Sequence, residues 1–81
     1  MIHQFARIIT KKEAINKYGK LGFREHAEAV FFKCDTKEEA FELIKPFNYK
    51  KHIKFRYFGT VENENVKLNE IIDMGAIDTI G

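Results

Sequence analysis

The sequence predicts an α+β domain in which two helices pack on one face of a four-stranded antiparallel sheet. Four segments alternate apolar and polar residues as half-buried strands do. Two Thr-x-x-Glu capping boxes mark helix starts. The order along the chain is strand, helix, strand, strand, helix, strand, which is a βαββαβ arrangement.

The first three elements lie before residue 26. The segment from His3 to Ile9 alternates and is predicted as the first strand. Thr10-Lys11-Lys12-Glu13 is the first capping box, and its helix is expected to end at Gly19. The segment from Leu21 to Glu25 is predicted as the second strand.

The other three elements follow. The third strand is predicted from Glu28 to Cys34, and Thr36-Lys37-Glu38-Glu39 starts the second helix. The helical spacing of Ala40, Leu43, Ile44 and Phe47 places them on one buried stripe. The fourth strand is predicted from His52 to Phe58, where Lys54 and Arg56 alternate with apolar residues.

The C-terminal segment predicts a further short helix that ends at Gly75. The apolar residues that favour it are Val66, Leu68, Ile71, Ile72 and Met74. We therefore divide the chain into a domain over residues 1–61 and an acidic, apolar extension over residues 62–81, which packs on the domain or on a partner.

The element order is the split βαβ pattern of the ferredoxin-like fold, whose helices leave one sheet face open. With Ala6 and Ile8 directed to the core, the open face is basic and aromatic. Its residues are His3, Phe5, Arg7, Arg24, His26, Phe31, Lys33, His52, Lys54, Arg56 and Phe58. Such a face suits single-stranded nucleic acid. A one-residue slip in any strand would exchange its two faces.

Charge is divided unevenly along the 81 residues. Residues 1–58 hold 13 Lys and Arg against 7 Asp and Glu, a net +6, whereas residues 59–81 carry a net −4. This division is typical of a basic working surface with an acidic tail. In an alternative interpretation the tail itself covers the open face, and its acids pair with Arg7, Arg24, Lys54 and Arg56.

Other functional classes receive little support from the sequence. Cys34 is the single cysteine, which fits a reducing cytoplasm, and no segment has the length of a signal peptide or a membrane span. Three histidines on one face, His3, His26 and His52, suggest a zinc site, but isolated strand histidines are more often surface groups. We expect no metal, no cofactor and no enzymatic activity.

The residues from Ala27 to Phe58 resemble the second half of an RNA recognition motif (RRM). They contain a strand, a helix opened by Glu38-Glu39-Ala40 and a closing basic strand, and Lys17-Tyr18-Gly19 resembles the end of that family's first helix. The resemblance implies base stacking on aromatic residues of the sheet. Phe31 fills one aromatic position of the family's octapeptide, and Phe5 offers a second platform.

A second resemblance, over roughly the middle fifty residues, is to the YlbG-like small cytoplasmic proteins. In those proteins an aromatic-Gly step leads through a strand pair to a Cys-Asp or Val-Asp helix start. It implies nothing about biochemical function.

Two functional hypotheses follow. The first is a noncatalytic module that binds single-stranded RNA through Phe5, Arg7, Arg24, Phe31, Lys33, Lys54, Arg56 and Phe58. The second is a protein-interaction module, either a homodimer or a small regulator such as a mobile-element-encoded inhibitor of a host enzyme.

Overall fold

The computed structural model describes residues 1–18, 26–48 and 54–76. These residues form an α+β fold, as predicted. The strands are β1 (Ile2–Ile9), β2 (His26–Lys33), β3 (Arg56–Val61) and β4 (Ile72–Ala76), and the helices are α1 (Lys11–Tyr18) and α2 (Lys37–Ile44). The four strands make one antiparallel sheet of order β3-β1-β2-β4. The predicted strand from Leu21 to Glu25 lies outside the described residues.

Both helices begin where the capping boxes predict. The Glu13 backbone N–H donates to the Thr10 hydroxyl at 3.2 Å, and the Glu39 backbone N–H donates to the Thr36 hydroxyl at 3.1 Å. Each bond satisfies a backbone donor that has no partner within its helix. α2 passes into a 3₁₀ turn over Lys45–Phe47, which contains Pro46.

The predicted C-terminal helix is wrong, because its last residues form β4. This strand pairs antiparallel with β2, from His26 opposite Ala76 to Ala29 opposite Ile72. It supplies hydrogen-bond partners along the side of β2 that faces away from β1, where the buried backbone of a central strand needs them. Just before it, Asn69 has a φ of 63°, which is incompatible with a continuous α-helix.

The predicted facing of β1 is also wrong. Phe5 was placed on the open face, but it is fully buried on the helix side of the sheet. There its ring packs edge-on against Phe32, Phe41 and Tyr57, with centroids 5.3 to 6.0 Å apart. Ile8, which was placed in the core, is 64% exposed.

Three other residues that were assigned to the open face lie on the helix side with Phe5. His3 and His26 are buried there, with His3 Nδ1 2.9 Å from the Tyr57 hydroxyl. Arg7 contacts Glu28 at 3.0 Å and Glu13 at 2.6 Å. Because the Glu28 carboxylate is fully buried, its ion pairs with Arg7 and, at 2.8 Å, with Lys17 make its charge tolerable in the interior.

The opposite side of the sheet is covered at one end by the C-terminal segment. Ile2, Ala29 and Phe31 are buried there, and Val66, Leu68 and Ile72 pack against them. The Asn69 backbone N–H donates to the Phe31 carbonyl at 2.8 Å. The C-terminal segment therefore covers this part of the sheet face, as in the alternative interpretation of the sequence.

The first prediction compares Phe5 with Phe58. Phe5→Ala is expected to lower the free energy of unfolding by about 3 to 5 kcal/mol, because it leaves a cavity in the core. Phe58→Ala is the matched control and should cost less than about 0.5 kcal/mol, because this side chain is largely exposed. Urea denaturation followed by circular dichroism measures both, and equal losses would contradict the observed facing of β1.

The second prediction concerns the pH dependence of Asp73, which joins β4 to β2. Partial burial raises the pKa of its carboxyl group, but bonds from the Gly75 N–H at 2.9 Å and to His26 at 3.1 Å outweigh this, so the pKa lies below its ordinary value. A depressed pKa stabilises the fold above the unfolded-state value of about 4, and the contribution is lost as the pH falls through the folded-state pKa.

Asp73→Asn should therefore destabilise the protein at pH 7. Its difference from the unsubstituted protein should shrink at about pH 3, because this pH lies below the unfolded-state pKa of about 4 and part of the carboxylate's contribution is lost there. Urea unfolding at the two pH values measures this, with the exposed Glu64→Gln as control. A difference that is the same at both pH values would refute the assigned role.

Candidate functional site: a groove on the open sheet face

A groove of about 710 Å³ crosses the part of the sheet that the C-terminal segment leaves uncovered. We call it the sheet groove. Its lining residues are Gln4, Ala6, Arg7, Ile8, Ala27, Lys54, Arg56, Phe58 and Met74. They come from all four strands and from the residues just before β3, so the sheet itself fixes their relative positions.

Two β-bulges shape the sides of the sheet groove. Along β3 the pairing skips from Tyr57 to Gly59, and along β4 it skips from Asp73 to Gly75, so Phe58 and Met74 are the extra residues. A bulge re-aims the side chain of the bulged strand. Here both extra side chains line the groove.

Both bulges depend on glycine for backbone conformation rather than for space. Gly59 has a φ of 96° and Gly75 a φ of 97°, and a Cβ atom at either position would meet no heavy atom within 4 Å. Residues with a Cβ rarely adopt this conformation. The dipeptides Phe58-Gly59 and Met74-Gly75 are the sequence signal that could have revealed the bulges.

The apolar part of the sheet groove has small residues at its centre and large ones around them. Ala6 and Ala27 come from the two central strands. The exposed fractions of Ile8, Phe58 and Met74 are 64%, 66% and 52%. Three large apolar side chains thus stand in solvent around a concave surface.

The positive charge of the sheet groove lies on its β3 side. Lys54 and Arg56 are exposed, and neither forms an ion pair within the described residues. Their alternation with the buried Phe55 and the half-buried Tyr57 is the one that the sequence predicted. Arg7 also lines the groove, but its guanidinium is engaged by Glu13 and Glu28.

The charges on the β4 side are of both signs. A smaller crevice adjoins the sheet groove and shares Met74 with it, and Lys67, Glu70 and Asp73 line this crevice. The Glu70 carboxylate is about half exposed and lies 4.0 Å from the Lys67 ammonium group, and the Asp73 carboxylate bonds to His26. The sheet groove therefore has a basic margin and an apolar centre, whereas the carboxylates on the β4 side already have partners.

The sheet groove contains four of the eight predicted site residues, Arg7, Lys54, Arg56 and Phe58. The guanidinium of Arg7, however, pairs with Glu13 and Glu28 on the helix side. Phe5 also lies on the helix side, and Phe31 is buried beneath the C-terminal segment. Lys33 is exposed at the far end of β2, six residues and about 20 Å from Ala27 at normal strand rise. Arg24 lies outside the described residues. Sequence reasoning missed Ile8 and Met74.

Metal ligands and the Cys34 thiol are the other groups whose chemistry the sequence raised. The described residues contain no group of three His, Cys, Asp or Glu side chains that could hold a metal ion. His52, the third histidine considered for zinc, lies outside them. Burial, followed by the nearby Glu39 carboxylate, raises the pKa of the Cys34 thiol, which keeps it protonated and weakly nucleophilic at neutral pH.

Within residues 1–18, 26–48 and 54–76, neither helix has the length and apolar character that crossing a membrane requires. Comparison of the chain with protein-family models, with curated proteins and with solved structures finds no match. Functional inference therefore starts from the geometry of the sheet groove.

Proposed function

We propose that this protein is a small noncatalytic binding module that docks a protein segment in the sheet groove. The observation that supports this most directly is the exposure of Ile8, Phe58 and Met74 around one concave surface. Monomeric proteins rarely expose contiguous apolar patches larger than a few hundred Å², and larger patches, especially those rimmed by polar residues, mark interaction sites. Each of these side chains is between half and two-thirds exposed. Removing the remaining exposed area of one of them from water contributes on the order of 1 kcal/mol to binding.

The residue types favour a protein ligand over a nucleic acid. Aromatic residues, Met and Arg are enriched at protein interfaces, and Met adapts its shape to different partners. Nonspecific single-strand binding depends instead on several aromatic platforms along a basic groove. Of the three aromatic residues predicted to be exposed, Phe5 and Phe31 are buried, which leaves Phe58.

The charge distribution defines the chemistry of the partner. Lys54 and Arg56 flank the apolar surface and form no ion pair among the described residues. A partner segment that combines large apolar side chains with Asp or Glu satisfies both parts of the site. Such complementarity raises the association rate and selects orientation more than it raises affinity.

The third prediction tests this partner chemistry with a displayed random peptide library. Selection on the wild-type protein should enrich peptides that combine acidic and large apolar residues. The Lys54→Glu and Arg56→Glu double variant should weaken their binding at least about tenfold, because attraction becomes repulsion. Isothermal titration calorimetry of a selected peptide provides the measurement.

The matched control changes the same charge elsewhere. Lys12→Glu combined with Lys45→Glu alters two exposed lysines, one on α1 and one in the 3₁₀ turn, and should leave peptide affinity unchanged. Selection of peptides without acidic residues, or equal losses in the two double variants, would count against the sheet groove as the binding site.

A second candidate function is the binding of single-stranded RNA. The observation that favours it is the succession of Lys54, Arg56 and Phe58, two cations and an aromatic ring, along one margin of the open face. The resemblance to the RNA recognition motif, and the ferredoxin-like order that it implies, support this candidate because that family binds bases on the sheet face opposite its helices.

The fourth prediction separates the two candidates. If RNA is the ligand, the fluorescence anisotropy of a labelled 12-nucleotide RNA should report micromolar binding at low salt. With two phosphate contacts, affinity should fall about fivefold to tenfold between roughly 50 and 200 mM salt. The Lys54→Glu and Arg56→Glu variant should abolish it, and the Lys12 and Lys45 variant should retain it. Absence of binding at low salt would reject the RNA candidate.

A further inference from the structure

We propose that the protein segment docked in the sheet groove is an amphipathic α-helix of at least about nine residues, with carboxylates along one side of its apolar stripe. This inference rests on the proposed function, since it gives the conformation and the residue pattern of the protein partner. It follows from the backbone of the sheet, from the dimensions of the sheet groove and from the spacing of Lys54 and Arg56.

The backbone of the sheet favours a partner that satisfies its own hydrogen bonds. The N–H and C=O groups of β1 and β2 lie in the plane of the sheet, where each of these strands pairs with a neighbour on both sides. An extended segment on the face would place backbone groups against Ala6 and Ala27 without partners, at a cost comparable to that of lost hydrogen bonds. Among the described lining residues, only Gln4 has a neutral polar side chain. A helix pairs these backbone groups internally.

The edges of the sheet do not favour strand addition as an alternative. β3 and β4 are the edge strands, and each carries a bulge, with Gly59 and Gly75 at positive φ. Bulges interrupt the regular row of backbone groups to which another strand would pair. A strand added at either edge would also leave Ile8, which lies on the central strand β1, in solvent.

The dimensions of the sheet groove match those of one helix. Along β1 it extends from Gln4 to Ile8, about 13 Å at normal strand rise, which is the length of about nine helical residues. Phe58 and Met74 lie on the two edge strands, which are three strand spacings or about 14 Å apart. A helix with its side chains is about 10 to 12 Å wide. The small side chain of Ala27 between these edges allows a helix to approach the sheet.

The basic margin determines where the helix carries its carboxylates. Lys54 and Arg56 are two residues apart, about 7 Å at normal strand rise. Residues four apart on an α-helix lie on the same side and are separated by about 6 Å along its axis. Two Asp or Glu residues at this spacing, beside the apolar stripe, therefore meet both cations. A reversed helix would carry them to the β4 side, so the charges also select the direction of the helix.

The fifth prediction concerns peptides of about 16 residues, long enough for the proposed helix, selected on the wild-type protein from a displayed random library. They should share large apolar residues at i, i+3 or i+4 and i+7, with Asp or Glu four residues apart beside them. A central proline in the tightest peptide should weaken binding at least about tenfold, because proline interrupts a helix interior. Proline in the first turn, which a helix tolerates, is the matched control and should change the affinity less than about threefold.

Variants of the protein test whether this helix lies in the sheet groove. In isothermal titration calorimetry, Ile8→Asp should remove binding of the tightest peptide, whereas Ile15→Asp, at an exposed position on α1, should leave it unchanged. Replacing the two peptide carboxylates with lysines should weaken binding to the wild-type protein at least about tenfold. The Lys54→Glu and Arg56→Glu double variant should bind this lysine peptide within about threefold of the original pair.

Three results would overturn the inference: a central proline that leaves the affinity unchanged, a complex without a gain of helix in circular dichroism, or a lysine peptide that the double variant does not recover. Peptides that meet any of these results but still fail to bind Ile8→Asp would leave the proposed function in place with a different partner geometry. Selection of no peptide, or of peptides that bind Ile8→Asp as tightly as wild type, would remove both proposals.

Discussion

The fold depends on one constraint, which is that the central strands β1 and β2 are buried on both faces. Phe5, Val30 and Phe32 pack beneath α2 on one side, and Ile2, Ala29 and Phe31 need cover on the other. The two helices lie on the first side, so the C-terminal segment has to return to the sheet. It supplies the cover through Val66 and Leu68, and it completes the edge as β4. The sheet groove is the part of that second side which this segment does not reach.

The same constraint explains which parts of the fold were predictable from the sequence. The helix starts depend on local capping chemistry, and the facing of β3 depends on the high cost of burying Lys54 and Arg56, so both predictions were correct. In β1 the choice lay between burying Phe5 with Arg7 and burying Ala6 with Ile8. The charge of Arg7 favoured the second choice, which is wrong. Its partner Glu28 is distant in sequence, so the ion pair that allows Arg7 to be buried could not be recognised from spacing.

The candidate site was half predictable for a related reason. Its basic side lies on β3 and the residues just before it, where the alternation is unambiguous, so Lys54, Arg56 and Phe58 were identified. Its other side depends on β4, whose Ile72 and Met74 also lie at helical spacings from Leu68 and Ile71, respectively. Pairing with β2 decided between the two structures, and single-segment patterns do not contain that information. Ile8 was missed because it was assigned to the core.

The arrangement of the open face separates the source of affinity from the source of orientation. Ile8, Phe58 and Met74 can lose exposed area against any apolar partner, so they favour association without fixing its geometry. Lys54 and Arg56 stand on one margin, and an exposed charge pair contributes little energy to a contact. A positive charge of the partner placed against this margin, however, opposes docking. An apolar surface with positive charge at one edge is therefore selective in direction even where its contacts are weak.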